Sequence, residues 1–295
     1  VPMLPEKLSN KVCSLRPHED KLCFSAVFIM NSKAQVLEEW FGKTIIYSDH
    51  RFTYEQAQEV IEKKEGKFAD SILFMDGLAK IMRAKRIEQG AITFDRVEVK
   101  FRLDEANNPT GIYFKQAKDA NKLIEEYMLL ANRKVASYIG RKYDGTPSKR
   151  PFVYRVHDVP DPEKISVFSS FVQQFGHTMN MQSSKEIANS MNRVLAKVSG
   201  KREENMVELL AIRTMSKAKY TVENIGHYGL GFDYYSHFTS PIRRWPDIMV
   251  HRLLQRYLDG EKVEQKEFLE EQCKHSSVME KLSTDAERAS IKYMQ

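Results

Sequence analysis

Two long runs of strand-forming residues sit close together near the start of this chain, and they limit what the first third can fold into. KLCFSAVFIM (21–30) and QVLEEWFGKTIIYS (35–48) are rich in β-branched and aromatic residues, with Asn31-Ser32-Lys33 as the turn between them. A hairpin, or a pair of sheet strands, follows. Thr53 then caps a helix over YEQAQEVIEKKEG, and a longer amphipathic helix runs from Ala69 to about Arg86. ITF (92–94), VEVKFRL (97–103) and GIYFKQA (111–117) read as further strands, with Asn107-Asn108-Pro109 as a turn. VEVKFRL alternates cleanly between apolar and polar. Asp119 to Ile139 reads as a long helix, YRVHD (154–158) as a short strand, and from Asp161 onward the pattern is mostly helical. No repeat or low-complexity linker interrupts it, so the chain reads as one α+β unit with a helix-rich second half.

Composition narrows the class. Of 295 residues, 42% are hydrophobic and 29% charged, enough to bury a sizeable core. The formal charge of +6 suits a polyanionic partner, though an ordinary basic protein has the same balance. Cys13, Cys23 and Cys273 are odd in number and lack C-x-x-C spacing, which argues against a disulfide framework or zinc site and fits a reducing cytoplasm. No 18-residue apolar run or signal-peptide pattern occurs, so no membrane association is expected. VPMLPEKLSNKVCSL reads as the interior of a domain, and DAERASIKYMQ stops with a helical pattern still running. A fragment is therefore expected.

The segment GHYGLGFDYYSHFTSPIRRWPD (226–247) has neither a helical nor a strand period. Ser240 is placed to cap a helix starting at Pro241, and Pro246 forces that helix to kink or restart. The turn so fixed carries Arg243 and Arg244. Guanidinium groups beside a helix N-terminus suit phosphate, and they equally suit a carboxylate that merely ties the turn down. Tyr228, Phe232, Tyr234, Tyr235 and Phe238 are expected mostly in the core, and His227 and His237 as hydrogen-bonded structural residues. Asp158, Asp161 and Glu163 are the best-spaced acids, yet Asp161-Pro162-Glu163 is better read as a helix start than as a metal site. In LIEEYMLLAN (123–132), Glu125 and Glu126 point about 100° apart around a helix, so one can face a site while the other does not.

Taken together, 226–247, the following MVHRLL, VPMLPEKLSNKVCSL, FGKTIIYSDHRFTYEQA, LIEEYMLLAN and DAERA resemble the RNB exoribonucleases, nearer the ribonuclease R branch than ribonuclease II. The resemblance covers essentially the whole chain and implies an RNB catalytic-domain fold with a mixed sheet, N-terminally truncated, over 1–295. It implies a processive, magnesium-dependent 3′→5′ exoribonuclease that takes a single-stranded RNA 3′ end and releases nucleoside 5′-monophosphates by a two-metal mechanism, without an obligate protein partner. A catalytically inactive RNA-binding relative is the alternative. By motif, Arg243 corresponds to an arginine on the scissile-region phosphate and Glu287 to a glutamate near the active centre. Tyr54 corresponds to a tyrosine that distinguishes ribose, Glu125 (Glu126 in the other register) to a partnering glutamate, and Phe94 to an aromatic stacked on the terminal base. The family's metal-binding aspartates and flanking oligonucleotide-binding barrels have no counterpart here. Magnesium ligands are thus expected upstream of Val1, none within the chain, and the isolated chain is expected to be inactive.

Overall fold

The computed structural model describes residues 3–94, 97–106, 108–263 and 266–294. The first hairpin forms as expected: β1 (Asp20–Met30) pairs antiparallel with β2 (Val36–Tyr47), in a register placing Asp20 opposite Tyr47 and Val27 opposite Trp40. Its turn is held by the Asn31 side-chain oxygen, which accepts from the backbone N–H of Lys33 and of Gln35, both at 3.0 Å. Phe24, Ala26, Phe28 and Phe41 face inward, while Val27, Ile29 and Trp40 stay exposed.

A second ribbon joins β3 (Val97–Leu103) to β4 (Pro109–Gln116), and a third joins β5 (Tyr154–Val156) to β6 (Lys219–Thr221). The chain is α+β, but the single mixed sheet expected from the resemblance is replaced, among the described residues, by three separate antiparallel ribbons. The inward side chains of the first and third ribbons join the main core with α3, α7 and α8. ITF forms no strand: Thr93 gives its N–H to the Asn192 side chain and Ile92 gives its own to Gly229, so this short run serves as a tie between distant segments. Of the expected turn near β4, Asn107 lies outside the described residues.

Eight α-helices carry the rest of the described chain: α1 (Tyr54–Lys63), α2 (Ala69–Glu88), α3 (Asp119–Gly140), α4 (Pro162–Gln173), α5 (Ser184–Val198), α6 (Glu204–Thr214), α7 (Trp245–Leu258) and α8 (Lys266–Met294). The Thr53 hydroxyl accepts from Gln56 N–H while the Gln56 side chain accepts from Thr53 N–H, a reciprocal cap on α1. Asp161 caps α4 through Glu163 N–H, with Pro162 in the first turn. Buried Gln58 of α1 accepts from Ala120 N–H and so satisfies the start of α3.

The larger apolar clusters follow from these helices. α1, α2 and the first turns of α3 bury Val60, Ile61, Ile72 and Leu123; α4, α5 and α6 bury Ile165, Phe168, Met191 and Val207. The main core joins the end of α3 (Val135, Ile139), β5, α7 and α8 around fully buried Phe152. Packing is tight where α3 ends: a Cβ on Gly140 would lie 2.5 Å from the Tyr234 ring and 2.7 Å from the Tyr154 hydroxyl. Helix α3 therefore reaches from the first cluster into the main core.

Candidate functional site

The segment between β6 and α7 has one short helical turn, Tyr228–Leu230, and otherwise no regular structure. Its backbone is held by side chains from elsewhere. Asn132 of α3 accepts from Phe238 N–H at 2.8 Å and Thr239 N–H at 3.2 Å, and donates to the Tyr235 hydroxyl at 3.2 Å. Ser236 donates to Val153 C=O at 2.6 Å, and fully buried Asp247 of α7 accepts from Ser240 N–H at 2.7 Å. Phe232, Tyr235 and Phe238 are buried, as expected of core aromatics, while Tyr228 and Tyr234 are half-buried.

No helix begins at Pro241. Residues 241–243 form a turn in which Ser240 C=O accepts from the N–H groups of Arg243 and Arg244, and α7 starts at Trp245 with Pro246 in its first turn. Because Asp247 takes Ser240 N–H, the chain turns back onto α7 before a helix can start. The two arginines then part company. Arg244 donates to Asp247 at 2.8 Å and ties the turn down. Arg243 is exposed, its guanidinium donates to the Ser240 hydroxyl at 3.4 Å, and it has no carboxylate partner among the described residues. Both line a cavity of about 610 Å³ together with Tyr220, Trp245 and the α8 residues Ser276, Glu280 and Thr284.

The histidines beside this turn are neutral. Burial, with Arg244 and Arg155 nearby, pushes His237 down to about 2, and its Nδ1 lies 2.7 Å from the Tyr220 hydroxyl. Burial, then His157 and Arg155, pushes His227 down to about 3. Gly229 N–H donates to His157 Nδ1, so Nε2 carries the proton and donates to Ser216 C=O at 2.7 Å.

A second cavity, of about 280 Å³, brings Phe94 and Glu125 together with Arg86, Gln116 and Leu230. Here the structure separates the paired acids. Glu126 is buried in an ion pair with Arg86 of α2, whereas Glu125 is half exposed toward the cavity with the same guanidinium at 3.5 Å. Tyr54, the first residue of α1, and Glu287, exposed on α8, line neither cavity. The six candidates thus fall into Arg243 with Arg244, Phe94 with Glu125, and two residues apart.

Asn132, Asp247 and Arg86 were not picked out from the sequence. A signal existed for Asn132, a polar residue closing the apolar run MLLAN. None existed for Asp247 or Arg86, whose partners only the fold supplies.

The carboxylates do not fit a magnesium centre. Among the described residues no three Asp, Glu, His or Cys side chains converge as metal ligands. Asp158 accepts from Val159 N–H and Asp161 from Glu163 N–H, so both hold local backbone instead. Among the described residues no helix is long and apolar enough to cross a membrane.

The chain has counterparts in sequence and in fold. The RNB domain model matches residues 1–260, and the chain belongs to that family. Ribonuclease R of Aquifex aeolicus is 36% identical over 301 residues, covering 99% of this chain and 42% of its own. The structure of Mycoplasma genitalium RNase R in complex with ribose methylated single-stranded RNA superposes with a TM-score of 0.88 at 26% identity, over all of this chain and 47% of that one. Yeast Ssd1, a pseudonuclease, shares the fold at a TM-score of 0.72 and 22% identity. The chain spans less than half the length of these relatives.

Proposed function

We propose that this chain belongs to the RNA-handling body of a ribonuclease R-like 3′→5′ exoribonuclease that works processively on a single-stranded 3′ end, releases nucleoside 5′-monophosphates, and acts in the cytoplasm without an obligate protein partner. The observation that carries this reading is Arg243: an exposed cation without a carboxylate partner among the described residues, held in a cavity on a turn that Asn132 and Asp247 fix. Such a guanidinium offers two parallel N–H donors to a phosphate, and its pre-set position spares the cost of ordering it on binding. Arg244 adds positive charge beside it while holding the turn. Phe94 offers a face for a terminal base, Glu125 accepts hydrogen bonds from the sugar of the same nucleotide, Tyr54 discriminates ribose from deoxyribose, and Glu287 lies near the reacting end. Magnesium, when bound, would supply activation of the attacking water in this reading; among the described residues no carboxylates converge to hold it, and the residues named here supply binding and charge neutralisation.

The test is Arg243→Ala in the enzyme that carries this segment. Turnover on a labelled single-stranded RNA falls about 100-fold, while affinity falls less than tenfold, because the contact strengthens as charge develops on the phosphate. An unchanged maximal rate with weakened binding sinks the assignment. Sharing the fold with a pseudonuclease favours a second reading, in which the protein binds RNA without cutting it. Full RNA binding with no magnesium-dependent trimming in that enzyme would establish that reading instead.

A further inference from the structure

We infer that a second groove, walled by the C-terminal half of α3 and the loop over residues 141–150, binds the sugar-phosphate backbone of single-stranded RNA. This rests on the RNA reading above and adds a separate site to it. The groove is a cavity of about 1050 Å³ and shares no lining residue with the cavity of Arg243. Five cations line it (Arg133, Lys134, Arg141, Lys142 and Arg150) against two acids, Glu39 and Asp233. Lys134 is spent on Glu39 at 2.7 Å and Arg141 on Asp233 at 3.1 Å. The other three have no carboxylate partner among the described residues.

Arg133 is the most telling of them. It lies over the Phe232 ring at 5.1 Å, and burial pushes its pKa below the ordinary arginine value. Asp233 and Glu126 lie near enough to offset part of this without pairing directly with Arg133, and an anion in the groove offsets the remaining cost of drawing the cation partly out of water. Arg150 lies over the Tyr257 ring at 5.3 Å, while the rings of Tyr138 and Tyr143 are exposed along the same wall. Alternating cations and open aromatic faces suit unpaired bases, which stack where duplex bases cannot.

The groove also leads somewhere. Arg133, Lys134 and Phe232 line a smaller neighbouring cavity of about 230 Å³ that includes Arg86 and Glu126. Arg86 is in turn a wall of the cavity holding Phe94 and Glu125. A strand lying in the groove therefore approaches the Phe94–Glu125 cavity from outside, with Arg86 as the partition.

The experiment is binding of a fluorescent single-stranded oligouridylate to this chain across a salt series. Lys142→Gln/Arg150→Gln removes two exposed charges that make no ion pair, so the fold is spared, and an unchanged circular-dichroism melt checks it. Affinity falls about tenfold at low salt, and the slope of log K against log salt becomes shallower by about 1.4, for two phosphate contacts. Tyr143→Ala weakens binding without moving the slope. Unchanged affinity and slope in the double variant, with the unmodified chain still binding, overturns the groove and leaves the RNA reading standing. Absence of binding by the unmodified chain overturns both. Equal affinity for a duplex, untouched by Tyr143→Ala, overturns the single-strand assignment.

Discussion

The β3–β4 ribbon and the segment 226–244 secure their backbones in different ways. The ribbon has an unbroken antiparallel ladder from Val97–Gln116 to Arg102–Gly111, with a register shift before Leu103–Pro109, yet Ile112 and Phe114 stand in solvent and none of its described side chains joins a buried cluster. The segment has isolated bridges in place of a ladder: Gly226, Gly229, Phe238, Thr239 and Ser240 give their N–H groups to the side chains of Asn224, His157, Asn132 and Asp247, others bond backbone carbonyls in tight turns, and three of its aromatics are buried. Ladder bonds are made by any residue, whereas a side chain bonding to backbone must be that side chain. Regular structure tolerates substitution, and irregular structure that is buried does not. This explains why the motif lies in the segment rather than in the ribbon.

The contrast can be broken at several points. Asn132→Ala strands two backbone N–H groups and the Tyr235 hydroxyl, and costs about 3 kcal/mol in urea unfolding. A loss under about 0.5 kcal/mol, the size of an ordinary surface change, would show that the segment does not depend on it. Acid comes next. His227 and His237 have folded pKa values near 3 and 2, below the unfolded value of 6.5. Their neutral burial thus contributes stability that is full above the unfolded value and is lost as pH falls toward the folded ones. Between pH 6.5 and 5.5 the two together remove roughly 2 kcal/mol. His157 and His251, also lowered chiefly by burial, act with the same sign. A flat stability profile over that interval contradicts the burial of these rings.

Gly231→Ala costs about 1–2 kcal/mol, because its φ of +67° is left-handed and its Cβ would lie 3.1 Å from Ala91 N. Crowding by backbone leaves no room for relaxation, so a neutral result means the segment has shifted. Ile112→Thr in the exposed ribbon changes stability by less than about 0.5 kcal/mol. A larger loss would give the ribbon a packing role that its exposure denies.

What could be read from residues alone was whatever depends on near neighbours. The hairpin turn at Asn31, the cap at Thr53 and the start at Asp161 are each set within five residues. ITF misled because three β-forming residues look alike whether they pair with a strand or with Asn192, 99 residues away. Ser240 looked like a cap because its hydroxyl chemistry is right; Asp247 taking its N–H is a tertiary fact. The different burial of Glu125 and Glu126 likewise depends on Arg86, which lies on a different helix. The carboxylate reading holds for Arg244, which pairs with Asp247, while Arg243 has no carboxylate partner among the described residues.

Helix α3 carries Glu125 and Glu126 in its first half, Asn132 in its middle, and Arg133, Lys134 and Gly140 toward its end. It acts as a ruler, with each mark read by a different part of the molecule. Substitution erases one mark at a time. A single inserted residue between Glu126 and Asn132 would instead rotate every later mark by about 100° and advance it by about 1.5 Å. Asn132 would leave Phe238, Gly140 would leave Tyr234, and the cations would turn away from their groove together. Length, more than composition, is what this helix has to conserve: natural or designed variation along it will be found as replacement, and insertions will collect in the loops at its two ends.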